Sequence, residues 1–299
     1  MSVLLRYTFA SAAMPLVGDP GLGLQLKRRG VRVAANDPLL STWARSAARI
    51  QNDAERLTAD DVNIILEDAY VPGYRLQNSA LASWFSETDS WWFDNVRRNI
   101  DRLSTPAKRA LAFGLVIAAG DHVLSFDDHT RYLRQPLSNV FRRLWSIEPE
   151  PVPGASDSVS TNRMPEDFVT DRATLERYND LMFLVLPQPY SKGLRQQLGR
   201  TAWREEWMRG GDSFWSTLES DRAGRLGSAT GTKSQYLRLV ERLLERSTHF
   251  KLWAVAHVED GSISSQDLVE LMGTFRRVET VYTKDFSELT GTKAVIITA

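Results

Sequence analysis

The chain of 299 residues has no cysteine and only four histidines, His122, His129, His249 and His257, scattered along its length. The first absence excludes a disulfide framework, a thiolate metal site and a cysteine nucleophile. The second leaves no histidine cluster with ligand spacing, so no metal is expected. Long apolar runs are missing as well. The longest, Ala110–Ala119, is half of what a membrane-spanning helix requires and reads as a buried helix, so no membrane is expected. Met1–Val17 lacks an apolar core ending in a small-x-small cleavage site, and the expectation is a soluble, cytoplasmic protein. Charge of one sign is also absent, with 37 basic against 37 acidic residues. What is present is an ordinary apolar fraction of 42%, enough for a packed core and too much for disorder.

The neutrality holds only in sum. Arg97 to Trp145 carries nine basic and four acidic residues, whereas Ser146 to Met182 carries three basic and eight acidic. A basic helical stretch suits phosphate contacts with double-stranded DNA, and Arg97, Arg98, Arg102, Arg131, Arg134, Arg142 and Arg143 are the candidates. A solvated helical face is the other reading of the same residues. Tryptophan is plentiful, with nine in the chain. Trp203, Trp207 and Trp215 interleave with Arg195, Arg200, Arg204 and Arg209, a mixture suited to stacking on bases or anchoring a protein partner. The four-residue step from Trp203 to Trp207 equally fits packing on one helix face.

Met14–Val17 reads as a strand, Gly18–Gly23 as a glycine-rich turn, Leu24–Gly30 as a helix and Val31–Ala35 as a second strand. Asn36-Asp37-Pro38 then opens a helix through Ile50. Helices are expected over Asp89–Leu103, Thr105–Ala119 and Arg131–Trp145, followed by a loop from Pro149 to Pro165. Leu181–Leu186 has the continuous apolar character of a central parallel strand. An amphipathic helix over Gln235–Arg246, a strand at Leu252–Ala256, a capped helix from Ser264 to Phe275 and strands at Val278–Tyr282 and Ala294–Thr298 complete the chain. The pattern predicts an α/β core formed by residues 1–70 and 175–299, interrupted by a helical insertion at 71–174.

Gly21 and Gly23 after the first strand allow a ligand close to the backbone, and Asp37, fourteen residues past Gly23, offers a carboxylate for ribose hydroxyls. Ordinary turn glycines and a helix cap would look the same. The spacing is too short for a nicotinamide-dinucleotide fingerprint.

These stretches resemble the DNA adenine methylase (Dam-like) class of adenine-N6 DNA methyltransferases. Gly18-Asp19-Pro20-Gly21-Leu22-Gly23, running to Asn36-Asp37, is similar to the family's Asp-x-Phe-x-Gly-x-Gly motif and the Asn-Asp pair that follows it. Leu184 to Tyr190 lies where the family has a strand ending in Asp-Pro-Pro-Tyr. The run from Phe250 through Glu259-Asp260-Gly261-Ser262-Ile263-Ser264 to Phe275 is similar to its late strand, turn and helix. The resemblance spans nearly the whole chain in organisation. It implies a Rossmann-like S-adenosylmethionine-dependent methyltransferase fold, with the helical insertion in the place of the target-recognition region. It also implies S-adenosylmethionine at Gly21, Gly23, Asn36 and Asp37, and a flipped adenine at the Pro187–Tyr190 loop.

Residue by residue, Tyr190 matches the tyrosine that stacks on the base and Pro189 the second proline. Pro187 stands where the family has its acidic acceptor for the adenine amine, and Gln188 where it has the first proline. Proline has no side-chain acceptor; Gln188 has a carbonyl, one residue out of register. The motif's Asp falls on Val17 and its Phe on Asp19. Only Arg6-Tyr7 and a short Ser/Ala stretch precede the first strand, where the family has a Tyr-x-Gly-x-Lys wall. The expectation is a degenerate, non-catalytic relative that binds DNA or a protein partner. The alternative is an active adenine methyltransferase with an irregular motif. A sheet order unlike a methyltransferase's would make the likeness accidental.

Overall fold

The computed structural model describes residues 3–127, 129–154, 157–259, 262–286, 288 and 292–299, without the side chains of 174 and 175. Asp128 of the charge count and Asp260-Gly261 of the late turn lie outside the described residues. Seven strands form one sheet: β1 (Ser11–Met14), β2 (Arg32–Asn36), β3 (Val159–Thr161), β4 (Leu181–Val185), β5 (Leu252–Glu259), β6 (Thr280–Asp285) and β7 (Lys293–Thr298). Their spatial order is β3-β2-β1-β4-β5-β7-β6. β1 to β5 pair in parallel, and β7 runs antiparallel to both β5 and β6. The order reverses between β1 and β4, so the loops after their C-terminal ends border the crevice where such sheets bind ligands. This is the Rossmann-like methyltransferase architecture.

Alternation along the strands explains why both faces are covered. Ala12, Met14, Leu181, Phe183 and Ala254 pack with Leu26 and Ile50 on one face. Ala13, Met182, Leu184, Val255 and Ile297 pack on the other with Tyr236, Leu243, Leu268 and Met272. Leu26 comes from α1 (Gly21–Arg28) and Ile50 from the turn at Ala47–Gln51 on the first face, and the second is covered by α12 (Lys233–Arg246) and α13 (Ser265–Gly273). Among the described residues, the further α-helices are α2 (Leu40–Ser46), α3 (Ala59–Leu66), α4 (Glu87–Ile100), α5 (Pro106–Leu124), α6 (Leu137–Ser146), α7 (Pro165–Thr170), α8 (Arg172–Leu175), α9 (Leu194–Leu198), α10 (Ala202–Arg209) and α11 (Trp215–Arg222). Among the described residues, no helix is long and apolar enough to cross a membrane.

Several local expectations shift. β1 ends at Met14 instead of starting there, because Pro15 has no N–H for the ladder. The Val17 N–H instead reaches the Asn36 carbonyl at 2.9 Å. α1 begins at Gly21, so both candidate glycines lie in its first turn. The helix opened by Pro38 widens after α2 into a π-helical turn at Ala47–Gln51. Arg131–Trp145 is divided by Pro136 into a 3-10 turn at Arg131–Leu133 and α6. The Pro149–Pro165 loop contains β3, whose three residues pair with Ala34–Asn36. The sheet therefore takes a strand from within the stretch expected to be insertion.

The helical region also shares its core with its neighbours. Trp203 and Trp207 of α10, fully buried, pack with Phe85, Trp92, Phe93 and Phe113, and with Ala44 and Val62 from α2 and α3. Trp203 lies so close to α5 that a side chain at Gly120 would overlap its ring. The packing reading of the Trp203–Trp207 step is the one the fold displays. Limits at 71 and 174 thus cut through continuous packing rather than between two cores.

Candidate functional site

Parallel strands bring three of the predicted segments to one edge of the sheet. The turn after β1, the Asn36-Asp37 pair after β2 and the Pro187–Tyr190 loop after β4 all leave C-terminal strand ends. The predicted arginines stand apart, on α4 and the turn just after it, on α6 and on the turn before α6.

Asp37 is turned inward. It is only 6% exposed, with Oδ2 accepting the Gly18 N–H at 3.1 Å and Oδ1 the Leu39 N–H at 3.0 Å. Gly18 can present its amide there because its φ is +56°, the left-handed region that favours glycine. Burial pushes the Asp37 carboxyl up to about 6, against the opposing pull of the Leu39 and Gly18 amides and of Arg222, with Glu205 adding to the rise. Glu205, also buried, caps the start of α2 by accepting the N–H groups of Leu40 and Ser41 at 3.1 and 2.7 Å.

Asn36 is a structural tie. Its Nδ2 donates to the carbonyls of Pro15 and Arg163, both at 2.9 Å, and its Oδ1 accepts from Arg163 N and Thr161 Oγ1. The amide's two donors and two acceptor positions are thereby used. Gly21 donates its N–H to Asp19 Oδ1 at 2.8 Å. Gly23 faces the core: a Cβ there would overlap Ile50 Cδ1 and lie 3.3 Å from Met14 Sδ. Its lack of a side chain serves helix-to-strand packing.

The loop after β4 is held on three sides. The Pro187 carbonyl accepts the Tyr236 hydroxyl at 2.8 Å. Gln188 Nε2 donates to the Val258 carbonyl at 2.9 Å, and Gln188 Oε1 is buried with no hydrogen-bond partner among the described residues. The Tyr190 hydroxyl donates to the Gly227 carbonyl at 2.8 Å, and its own carbonyl accepts the Thr230 N–H at 2.7 Å. Burial raises the Tyr190 phenol above its ordinary value. Pro189 and Tyr190 border an open groove of about 260 Å³ with Thr230, Lys233 and Ile263.

Arg222, which the sequence did not mark out, sits behind this loop. It is 7% exposed, and its Nε and Nη2 both donate to the Gly227 carbonyl, at 3.2 and 2.7 Å. Among the described residues, its Nη1 is buried without a partner, as is Thr230 Oγ1. One carbonyl thus joins a buried guanidinium to the Tyr190 ring. Nothing in Arg-Ala-Gly-Arg-Leu-Gly, residues 222–227, signals that role, because it depends on two loops meeting.

Most of the predicted basic set is engaged internally. Arg97 pairs with Asp101 at 2.8 Å and lies over the Phe113 ring. Arg98 donates to Asn95, Arg102 pairs with Glu67, and Arg134 pairs with Asp89 at 2.5 Å. Arg142 reaches Asn63 at 3.3 Å. Arg131 and Arg143 are exposed and make no side-chain hydrogen bond or ion pair among the described residues.

No family model matches the chain. Over 303 aligned residues it is 23% identical to the Type II methyltransferase M2.HphI of Haemophilus parahaemolyticus, a likeness covering 92% of this chain and 84% of that protein. With the sheet order, this likeness supports a methyltransferase relationship.

Proposed function

We propose that this protein is a DNA-binding relative of the adenine-N6 DNA methyltransferases that has lost methyl transfer. The observation that carries the reading is Asp37. In the resemblance this carboxylate faces the ribose of S-adenosylmethionine; here both of its oxygens hold backbone amides of its own loops. Gly23 supplies no open approach either, since Ile50 and Met14 occupy the space beside it. As placed, these residues do not fit the cofactor. Pro187 adds a second deficit, having no acceptor for an adenine amine at the position where attack on a methyl donor requires one. Restriction-modification is the setting in which such a chain would support an intact methyltransferase. Labelled S-adenosylmethionine incubated with the protein and adenine-containing duplexes tests the proposal: background incorporation is expected, and robust transfer overturns it.

One observation favours the active alternative. The amide nitrogen of Gln188 is committed to Val258, and its Oε1 has no partner among the described residues, so the loop does contain a candidate acceptor. An enzyme using it would lose transfer on Gln188→Leu while retaining its affinity for DNA.

A further inference from the structure

We propose that the edge strand β6 pairs antiparallel with β6 of a second copy of this chain, joining two seven-stranded sheets into one. The two edges of the sheet are built differently. At β3 the outer backbone groups of Ser160 are covered: its N–H donates to Gln51 Oε1 at 3.1 Å, and its carbonyl accepts from Trp43 Nε1 at 3.3 Å. β3 is also only three residues long. At the opposite edge β6 runs for six residues in unbroken register with β7, and it contains no proline. Shortness, proline, a bulge or a cover are the usual protections of an exposed edge, and β6 has none of them among the described residues. Its lysine, Lys284, lies over the Phe286 ring of its own strand at 5.1 Å. Val281 and Tyr282, on opposite faces of the strand, are 44% and 38% exposed.

The hydrogen-bond alternation shows which groups the edge offers. Trp253 and Ala299 exchange both backbone hydrogen bonds, at 2.8 and 3.1 Å. Every second residue of β7 back from Ala299 therefore bonds to β5, and the residues between them bond to β6. Phe286 N, donating to the Thr292 carbonyl at 3.0 Å, fixes the same alternation from the other end. Tyr282 and Lys284 thus turn their backbone groups toward Ile296 and Ala294 of β7, whereas Val281 and Thr283 turn theirs outward. Neither of these two has a backbone partner among the described residues.

Charge selects the register. A twofold pair must match outward residues with outward residues, which places the axis at Tyr282 or at Thr283 if most of the strand is to pair. An axis at Tyr282 sets Glu279 opposite Asp285, and like charges directly opposite are destabilising. An axis at Thr283 sets Thr283 opposite itself, Val281 opposite Asp285 and, on both sides of the axis, Lys284 opposite Tyr282. An ammonium then meets an exposed aromatic ring twice, which is favourable. The edge is self-complementary in this register.

Sedimentation velocity of the full chain, from low micromolar to several hundred micromolar protein, tests the pairing. The wild type is expected to pass from one chain per particle to two. Thr283→Pro removes an N–H that β7 does not use, and it is expected to keep the folded circular-dichroism spectrum and remain a single chain throughout. Tyr282→Lys sets lysine opposite Lys284 and is expected to weaken the dimer about tenfold or more. Tyr282→Lys/Lys284→Glu sets opposite charges across the axis and is expected to restore it. A wild type that stays a single chain leaves the edge to another occupant and overturns the proposal. So does a dimer that persists in Thr283→Pro, or a Tyr282→Lys defect that Lys284→Glu does not repair.

Discussion

The Asp37 carboxylate accepts the Gly18 amide at 3.1 Å, clasping the end of β2 to the turn after β1. The same group holds the first amide before α2, so one buried side chain organises two loops at the ligand edge of the sheet. Its environment makes stability depend on pH in a defined direction.

The Asp37 carboxyl is harder to ionise in the fold, at about 6, than at its ordinary value of 3.8. Its stabilising contribution is therefore complete below the lower value and is lost as pH rises through the upper one, by about 3 kcal/mol in all. Asp37→Asn removes this dependence while keeping a carbonyl for one of the two amides. Urea unfolding of both proteins between pH 4 and pH 7, roughly the window set by that shift, should show the variant gaining relative stability as pH rises. Parallel curves would contradict the buried clasp.

Gly23→Ala should destabilise by about 1–3 kcal/mol through overpacking, despite alanine's better helix propensity. The added methyl meets Ile50 and Met14. Shortening the neighbour in Gly23→Ala/Ile50→Val should recover part of the loss. Chemical denaturation of the single and double variants measures the coupling, and simple additivity would argue against this contact.

Restoring the motif alone should not restore transfer. In Pro187→Asp/Gln188→Pro the loop regains the family's Asp-Pro-Pro-Tyr order, but Asp37 and Gly23 remain as they are. Incorporation of labelled methyl groups should stay at background. A gain well above background would place the whole deficit in the loop.

How much of this was legible beforehand follows from how local each signal is. The apolar run at Leu181–Leu186 marks β4 because burial on both faces writes itself into consecutive residues. β3 leaves no such mark: three residues amid proline and serine become a strand only by pairing with β2. The Asn36-Asp37 pair was visible, but its orientation was not, since it depends on Gly18, Thr161 and Arg163. Likewise, the free face of Gln188 follows from a carbonyl 70 residues away.

Glu206 is another buried carboxylate that periodicity does not reveal. It is fully buried and accepts from Trp84 Nε1 at 2.5 Å, Trp215 Nε1 at 2.9 Å and Arg195 Nε at 2.6 Å. Glu206→Ala should destabilise by about 2–4 kcal/mol, because it strands the buried Trp215 N–H and the half-buried Trp84 N–H while the half-exposed Arg195 returns to solvent. It should also shift tryptophan emission through Trp84 and Trp215. A loss below about 1 kcal/mol, typical of exposed pairs, would contradict the network.

On this reading the segments that would hold the methyl donor are turned to structural use. Calorimetric titration of the purified protein with S-adenosylmethionine at neutral pH should then give no saturable heat up to millimolar ligand. Saturable binding at one site per chain, abolished by Asp37→Asn, would contradict it.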